Sequence, residues 1–159
     1  GYPEHRKGWW TFLEMSRWSP QGEYNVVHIG RTPSGHTHLE FHDLADPIDG
    51  VAQTTSSLLD HDIDAVLVWP TWQETFSFDA YEAIAAGCLV ITHDQSGNVL
   101  PAARSYGVDV TYRDTAQLRR AALTGELAER IHDFAVRERP VGKLLLDGLT
   151  PALLGRDSD

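Results

Sequence analysis

Apolar residues in this chain fall into two patterns that take turns. Short unbroken runs closed by Gly, Pro or polar residues alternate with stretches whose apolar positions recur at helical spacing. Gly8–Trp18 reads as an amphipathic helix with Trp9, Phe12 and Leu13 on one side, followed by a Ser19-Pro20-Gln21-Gly22 turn. A strand is expected at Tyr24–Ile29, ending at Gly30. A long polar loop, Arg31–Pro47, comes next, with a short strand at Thr37–Phe41. Val51–Leu59 is a short helix, and Ala65–Trp69 a wholly apolar strand of the kind found inside parallel sheets. A loop then leads to a helix over Phe78–Ala86 and a strand at Cys88–Ile91. Beyond the Gly-containing loop Thr92–Asn98, the pattern gives a helix at Val99–Tyr106 and a strand at Val108–Tyr112. Asp114 caps a helix to Leu123, and Gly125 separates that helix from another at Glu126–Arg137. Pro140 opens a last helical stretch with a leucine stripe (Leu144, Leu145, Leu146, Leu149, Leu153, Leu154) that Pro151 should kink or end. Strands alternating with helices imply an α/β domain with a mostly parallel sheet.

The most informative stretch is Val66–Val90, a strand–loop–helix–strand unit. Ser77 is a good N-cap, Asp79 suits the positive end of the helix dipole, and Gly87 stops the helix. The helix start should therefore open at the carboxyl edge of the sheet, where backbone N–H groups favour an anion. Two carboxylates converge there: Glu74 in the loop before the helix, and Glu82 about one turn inside it, leaning back toward the N-terminus. Paired carboxylates are good acceptors for vicinal hydroxyls, as in a sugar or a ribose. Taken singly, each is more commonly a solvated charge, since exposed Glu is the commonest outcome.

At 159 residues the chain is long enough for one domain with a real core, and 42% apolar with 23% charged residues describes a globular chain. A net charge of −10 argues against a nucleic-acid or anionic-membrane surface, so an anionic ligand needs a local basic cluster. The single cysteine, Cys88, falls in a strand expected to be buried and allows no internal disulfide, which fits a reducing, cytoplasmic setting. No apolar run is long enough for a transmembrane helix, and no signal peptide is evident. Gly1 as the opening residue and Met15 as the only methionine suggest a piece of a longer protein, with a strand expected just ahead of Gly1. His36, His38 and His42 with Glu40 invite a metal reading, but their spacing fits no closed zinc pattern, and no metal is expected.

Glu74-x7-Glu82, followed by small residues, Gly87 and a strand, resembles the E-x7-E signature of retaining glycosyltransferases of the GT-B fold, in the form WPTWQETFSFDAYEAIAAGCLVIT. The likeness extends in order along the chain and is best defined between Asp64 and Gly97. Both glycines that follow the first Glu in that family are replaced here, by Thr75 and Ser77. A family Gly-Arg followed by Lys-Gly is matched at Gly1 and at Lys7-Gly8, with Tyr2 where the Arg is expected and Arg6 as a substitute.

The resemblance implies the Rossmann-like, three-layer C-terminal half of a GT-B fold, covering residues 1–159, with the acceptor-binding N-terminal domain elsewhere. It implies a donor-binding domain for transfer of a sugar from a nucleotide-diphosphate sugar to a saccharide, lipid or other glycan acceptor, as in polysaccharide biosynthesis, with no metal or further cofactor. Glu82 would hold the ribose, Glu74 the transferred sugar, and Lys7, with Arg6, the diphosphate. Thr75, Phe76, Ser77, Phe78, Ser96, Gly97 and Asn98 would line the donor. The piece alone should bind donor weakly and turn over nothing, and a longer protein could associate with a membrane. Two other readings stand beside this one: a sugar-nucleotide epimerase or phosphorylase half of the same fold, and a non-enzymatic flavodoxin-like binding domain.

Overall fold

A computed structural model describes residues 3–18, 22–33, 35–36, 39–44 and 53–137. Tyr2, His38 and the leucine stripe beyond Pro140 lie outside the described residues, as do Gly1, Thr37 and Pro47.

The described elements are α1 (Trp9–Met15), β1 (Val27–Gly30), β2 (Glu40–Asp43), α2 (Gln53–Asp60), β3 (Ala65–Leu67), α3 (Phe78–Ala85), β4 (Leu89–His93), α4 (Val99–Ser105), β5 (Asp109–Tyr112), α5 (Thr115–Leu123) and α6 (Glu126–Ala135). Every ladder is parallel, and helices cover both faces, so the domain is α/β and three-layered as the alternation implied. Strand β4 shows why. Val90 packs with Ala80, Ala83 and Val99 of α3 and α4 on one face, while Leu89 and Ile91 pack with Leu118 and Ala122 of α5 on the other. Leu89, Val90 and Ile91 alternate between two buried surfaces, so this run must be apolar at successive positions.

The pairing divides the strands into two sheets. β1 and β2 form one, in the register Val27↔Glu40 to Gly30↔Asp43; β3, β4 and β5 form the other in that order. Among the described residues no ladder joins β1 to β3. A cleft of about 640 Å3 lies between them, walled by Val26–Ile29 and by Ala65–Val68.

Several boundaries differ from expectation. The first helix starts at Trp9 because Gly8 adopts a left-handed conformation (φ +77°), which separates α1 from a 3-10 turn at His5–Lys7. The strand expected from Tyr24 begins at Val27. The short strand of the polar loop lies at Glu40–Asp43, shifted toward the chain's C-terminus. β3 ends at Leu67, although Val68 N–H still donates to Ile91 O at 2.9 Å. Pro70, which has no N–H to offer a ladder, closes the run.

Candidate functional site

The segment leaving β3 is fixed before it reaches Glu74. Val68, Trp69 and Pro70 are buried, and a side chain at Gly8 would run into the backbone and Cβ of Trp69. Thr71 N–H donates to Arg6 O at 3.0 Å, which ties the two loops together. His93, at the end of β4, spans the same corner: its Nε2 lies 2.6 Å from Pro70 O, and its Nδ1 accepts from Gln95 N–H at 3.2 Å. A carbonyl can only accept, so this pattern places the ring proton on Nε2.

Glu74 itself is held from the next loop. It forms a parallel β-bridge with Gly97; Asn98 N–H donates to Glu74 O at 2.7 Å, and Asn98 Nδ2 donates to Thr75 O. Gly97 has φ +65°, and a Cβ there would overlap the Glu74 backbone, so the close approach requires glycine. Ser77 then caps α3 as expected, its Oγ accepting from Ala80 N–H at 3.4 Å.

At this helix start Lys7 Nζ donates to Asp79 Oδ2 at 2.6 Å, both side chains being partly exposed. Burial alone would lower the Lys7 pKa. The Asp79 bond and the charges of Asp79, Glu74 and Glu4 more than offset it, and the net displacement is upward. Glu82 is half-buried one turn further on. Desolvation raises its pKa, opposed by a hydrogen bond with Thr54 of α2 and by the Lys7 charge. Thr55 Oγ1 also donates to Glu82 O at 3.3 Å, so α2 and α3 are joined at this level.

Lys7, Glu74, Ser77 and Asp79 therefore lie together on one end of the cleft, at the carboxyl ends of the strands. Glu82 sits behind this rim, bonded to Thr54, which itself lines the cleft. Arg6 points elsewhere: its guanidinium lies 4.8 Å from the centroid of Trp72 and pairs with Glu4 at 3.3 Å. Thr75, Phe76 and Phe78 are exposed, with Phe76 stacked on Tyr81 and edge-on to Phe78. Ser96 is fully buried, and Gly97 and Asn98 spend their contacts on the Glu74 loop. Their observed part is to brace that loop.

Two partners escaped the sequence reading. Asp79 was legible as a first-turn acid, yet nothing local marks it as the partner of Lys7, 72 positions away. Thr54 lies on an unremarkable helix and carries no signal at all. Of the histidines, His42 is 3.1 Å from Glu40 and stacks on His61. Among the described residues no group of three or more His, Cys, Asp or Glu could hold a metal ion, and no helix is long and apolar enough to cross a membrane.

No protein-family model, curated protein or solved structure matches the chain.

Proposed function

We propose that this chain is the donor-binding domain of a retaining glycosyltransferase that uses a nucleotide-diphosphate sugar. The observation that carries this reading is the Lys7–Asp79 pair at the capped start of α3, with Glu74 on the same rim. A diphosphate competes with Asp79 for the ammonium and meets first-turn N–H groups at the positive end of the helix. As the bond from the anomeric carbon to the diphosphate oxygen breaks, charge builds on that oxygen. Cations and backbone donors already in place stabilise it. Glu74, fixed by the Gly97 bridge, accepts hydroxyls of the transferred sugar. Glu82 accepts from the ribose, with Thr54 orienting its carboxyl. A carboxylate pair in a retaining glycosidase acts instead as nucleophile and acid across one sugar bond, about 5–5.5 Å apart. Here one acid belongs to a braced loop and the other to a helix flank, an arrangement suited to gripping two parts of an extended ligand.

A thermal-shift panel of UDP, GDP, ADP and their sugars tests the reading. A ligand present at 100 times its Kd stabilises the folded state by about 2.7 kcal/mol. One nucleotide family should raise the melting temperature, and Lys7→Ala or Glu82→Ala should abolish the rise. Glu129→Ala, on the exposed side of α6, should keep it. The pair with Asp79 is exposed, so Lys7→Ala should change the unliganded stability by no more than about 1 kcal/mol. No shift with any nucleotide, or a shift that survives both variants, would count against the assignment.

A further inference from the structure

The outer face of α5 carries charge that the rest of the chain leaves unmatched. With 23 acidic residues against 13 Lys and Arg, a surface cation has acids to spare, and Arg104, Arg113 and Arg130 each pair with one. Arg119 and Arg120 do not. Both are exposed, and among the described residues neither guanidinium has an ion-pair or hydrogen-bond partner. Leu123, one turn beyond Arg119, is half exposed. These residues line a groove between α5 and the end of α1, with buried Trp18 and exposed Glu14 on the α1 side. None of them belongs to the cleft that holds Lys7 and Glu74. Leu118, Ala121 and Ala122 are buried in the core with Met15 and Trp18, which fixes the rotation of α5 and turns the groove face outward. On that face two ridges at four-residue spacing run side by side, Thr115–Arg119–Leu123 and Ala116–Arg120–Thr124. Their small members leave room for another helix to approach, and ridges of this spacing interdigitate with those of a second helix.

We propose that this groove docks an acidic amphipathic helix of a separate partner protein. Charge chooses the partner. The groove sets two cations against one acid, in a chain whose net charge of −10 repels acidic molecules everywhere else. A local positive spot in such a field selects and orients the acids that land on it. The guanidinium fork matches a carboxylate through two parallel bonds, so Glu or Asp of the partner meets Arg119 and Arg120. Nucleic acid is excluded, because two phosphate contacts cannot overcome the overall repulsion. An exposed leucine alone would mean little. Beside two unmatched guanidiniums and the edge of Trp18, Leu123 supplies the apolar centre of a patch whose rim is charged. The partner helix therefore carries leucine-like side chains along one stripe and carboxylates on its flanks. One helix in one groove covers less area than a standard interface, so the complex is weak and exchanges readily. The inference uses no residue of the nucleotide rim and stands apart from the reading of that site.

The test titrates the full chain into a labelled, amidated peptide, AEELLKELEELLKEA, and into its charge-swapped counterpart with Lys for every Glu and Glu for every Lys. Binding is read by fluorescence anisotropy, and the contact surface by NMR on the Trp18 indole N–H and the Arg119 and Arg120 Nε–H signals. The acidic peptide should bind saturably, weaken with added salt, and shift those three signals. Arg119→Glu combined with Arg120→Glu should weaken it about ten-fold or more and make the charge-swapped peptide the better ligand. Leu123→Ser, which leaves both charges in place, should weaken both peptides. All three side chains are exposed, so the variants should keep the parent's circular-dichroism spectrum. Absence of saturation up to about 1 mM overturns the proposal. So does binding that ignores the double variant, or signal changes confined to the Lys7 rim. Dimerisation of the free chain on sedimentation, lost in the double variant, would assign the groove to a second copy and overturn the separate partner.

Discussion

Two glycines with nearly the same backbone angle show how much of the rim depends on single atoms. Gly97 has φ +65° and is pressed against the Glu74 backbone; Gly107 has φ +67° and nothing within 4 Å of the place a Cβ would occupy. Alanine at Gly107 meets only the left-handed backbone penalty, about 1–2 kcal/mol. Alanine at Gly97 meets that penalty and also pushes the Glu74 loop aside. Gly97→Ala should therefore lower the melting temperature by more than Gly107→Ala and weaken the nucleotide binding proposed for this rim, which Gly107→Ala should leave intact. Equal effects in paired thermal melts would show that the contact is not limiting. Glu82 supplies a pH signature. Burial raises its folded-state pKa above that of the unfolded chain. The folded state is thus favoured while Glu82 is protonated, and that advantage declines as pH rises from the unfolded pKa through the folded one. Glu82→Gln keeps an acceptor for Thr54 and does not titrate. Its stability should fall less steeply than the parent's as pH rises above the ordinary carboxylate range, as read from denaturation midpoints.

Helix ends are the elements whose local chemistry can be isolated most cleanly. Asp114 caps α5, its Oδ1 accepting from Gln117 N–H at 2.8 Å. That bond, with a side-chain bond from Arg113, holds its pKa below the usual range. A depressed carboxyl contributes stability that is complete above its unfolded pKa and disappears as pH falls through the folded value. Asp114→Asn retains the capping geometry without the titration, so the variant should lose less stability on acidification than the parent. Melts in acidic buffers check this. The Ser77 and Asp114 caps and the stop at Gly87 were legible because each depends on residues within one helical turn. The α/β class was legible for a similar reason, since apolar runs and helical periodicity are local patterns. Lys7–Asp79 and Glu82–Thr54 were not, because both pairs join distant segments and neither member differs in type from an ordinary surface residue. The division of the strands into two sheets was also hidden. Apolar β3 reads as a central strand whether or not a neighbour occupies its far side.

For the whole molecule, unequal sheets imply unequal persistence. β4 is paired on both sides and almost wholly buried, whereas the ladder among the described residues pairs β1 with β2, and Glu40 and Asp43 are exposed. A two-stranded sheet is marginal by itself, so local opening should begin there. Native-state hydrogen exchange should rank Leu89–Thr92 as the slowest amides and those of Val27–Gly30 and Glu40–Asp43 as markedly faster; equal rates would mean that both sheets open as one unit. The rim is built differently from that two-stranded sheet. Because the bridge to Gly97 and the Asn98 bonds anchor Glu74 from the neighbouring strand's loop, the carboxylate is positioned before anything reaches it. A molecule landing there meets a surface that needs no freezing, so little chain entropy is lost at that contact. Any closure over a bound molecule must then come from a different part of the protein, since this loop has nowhere to swing.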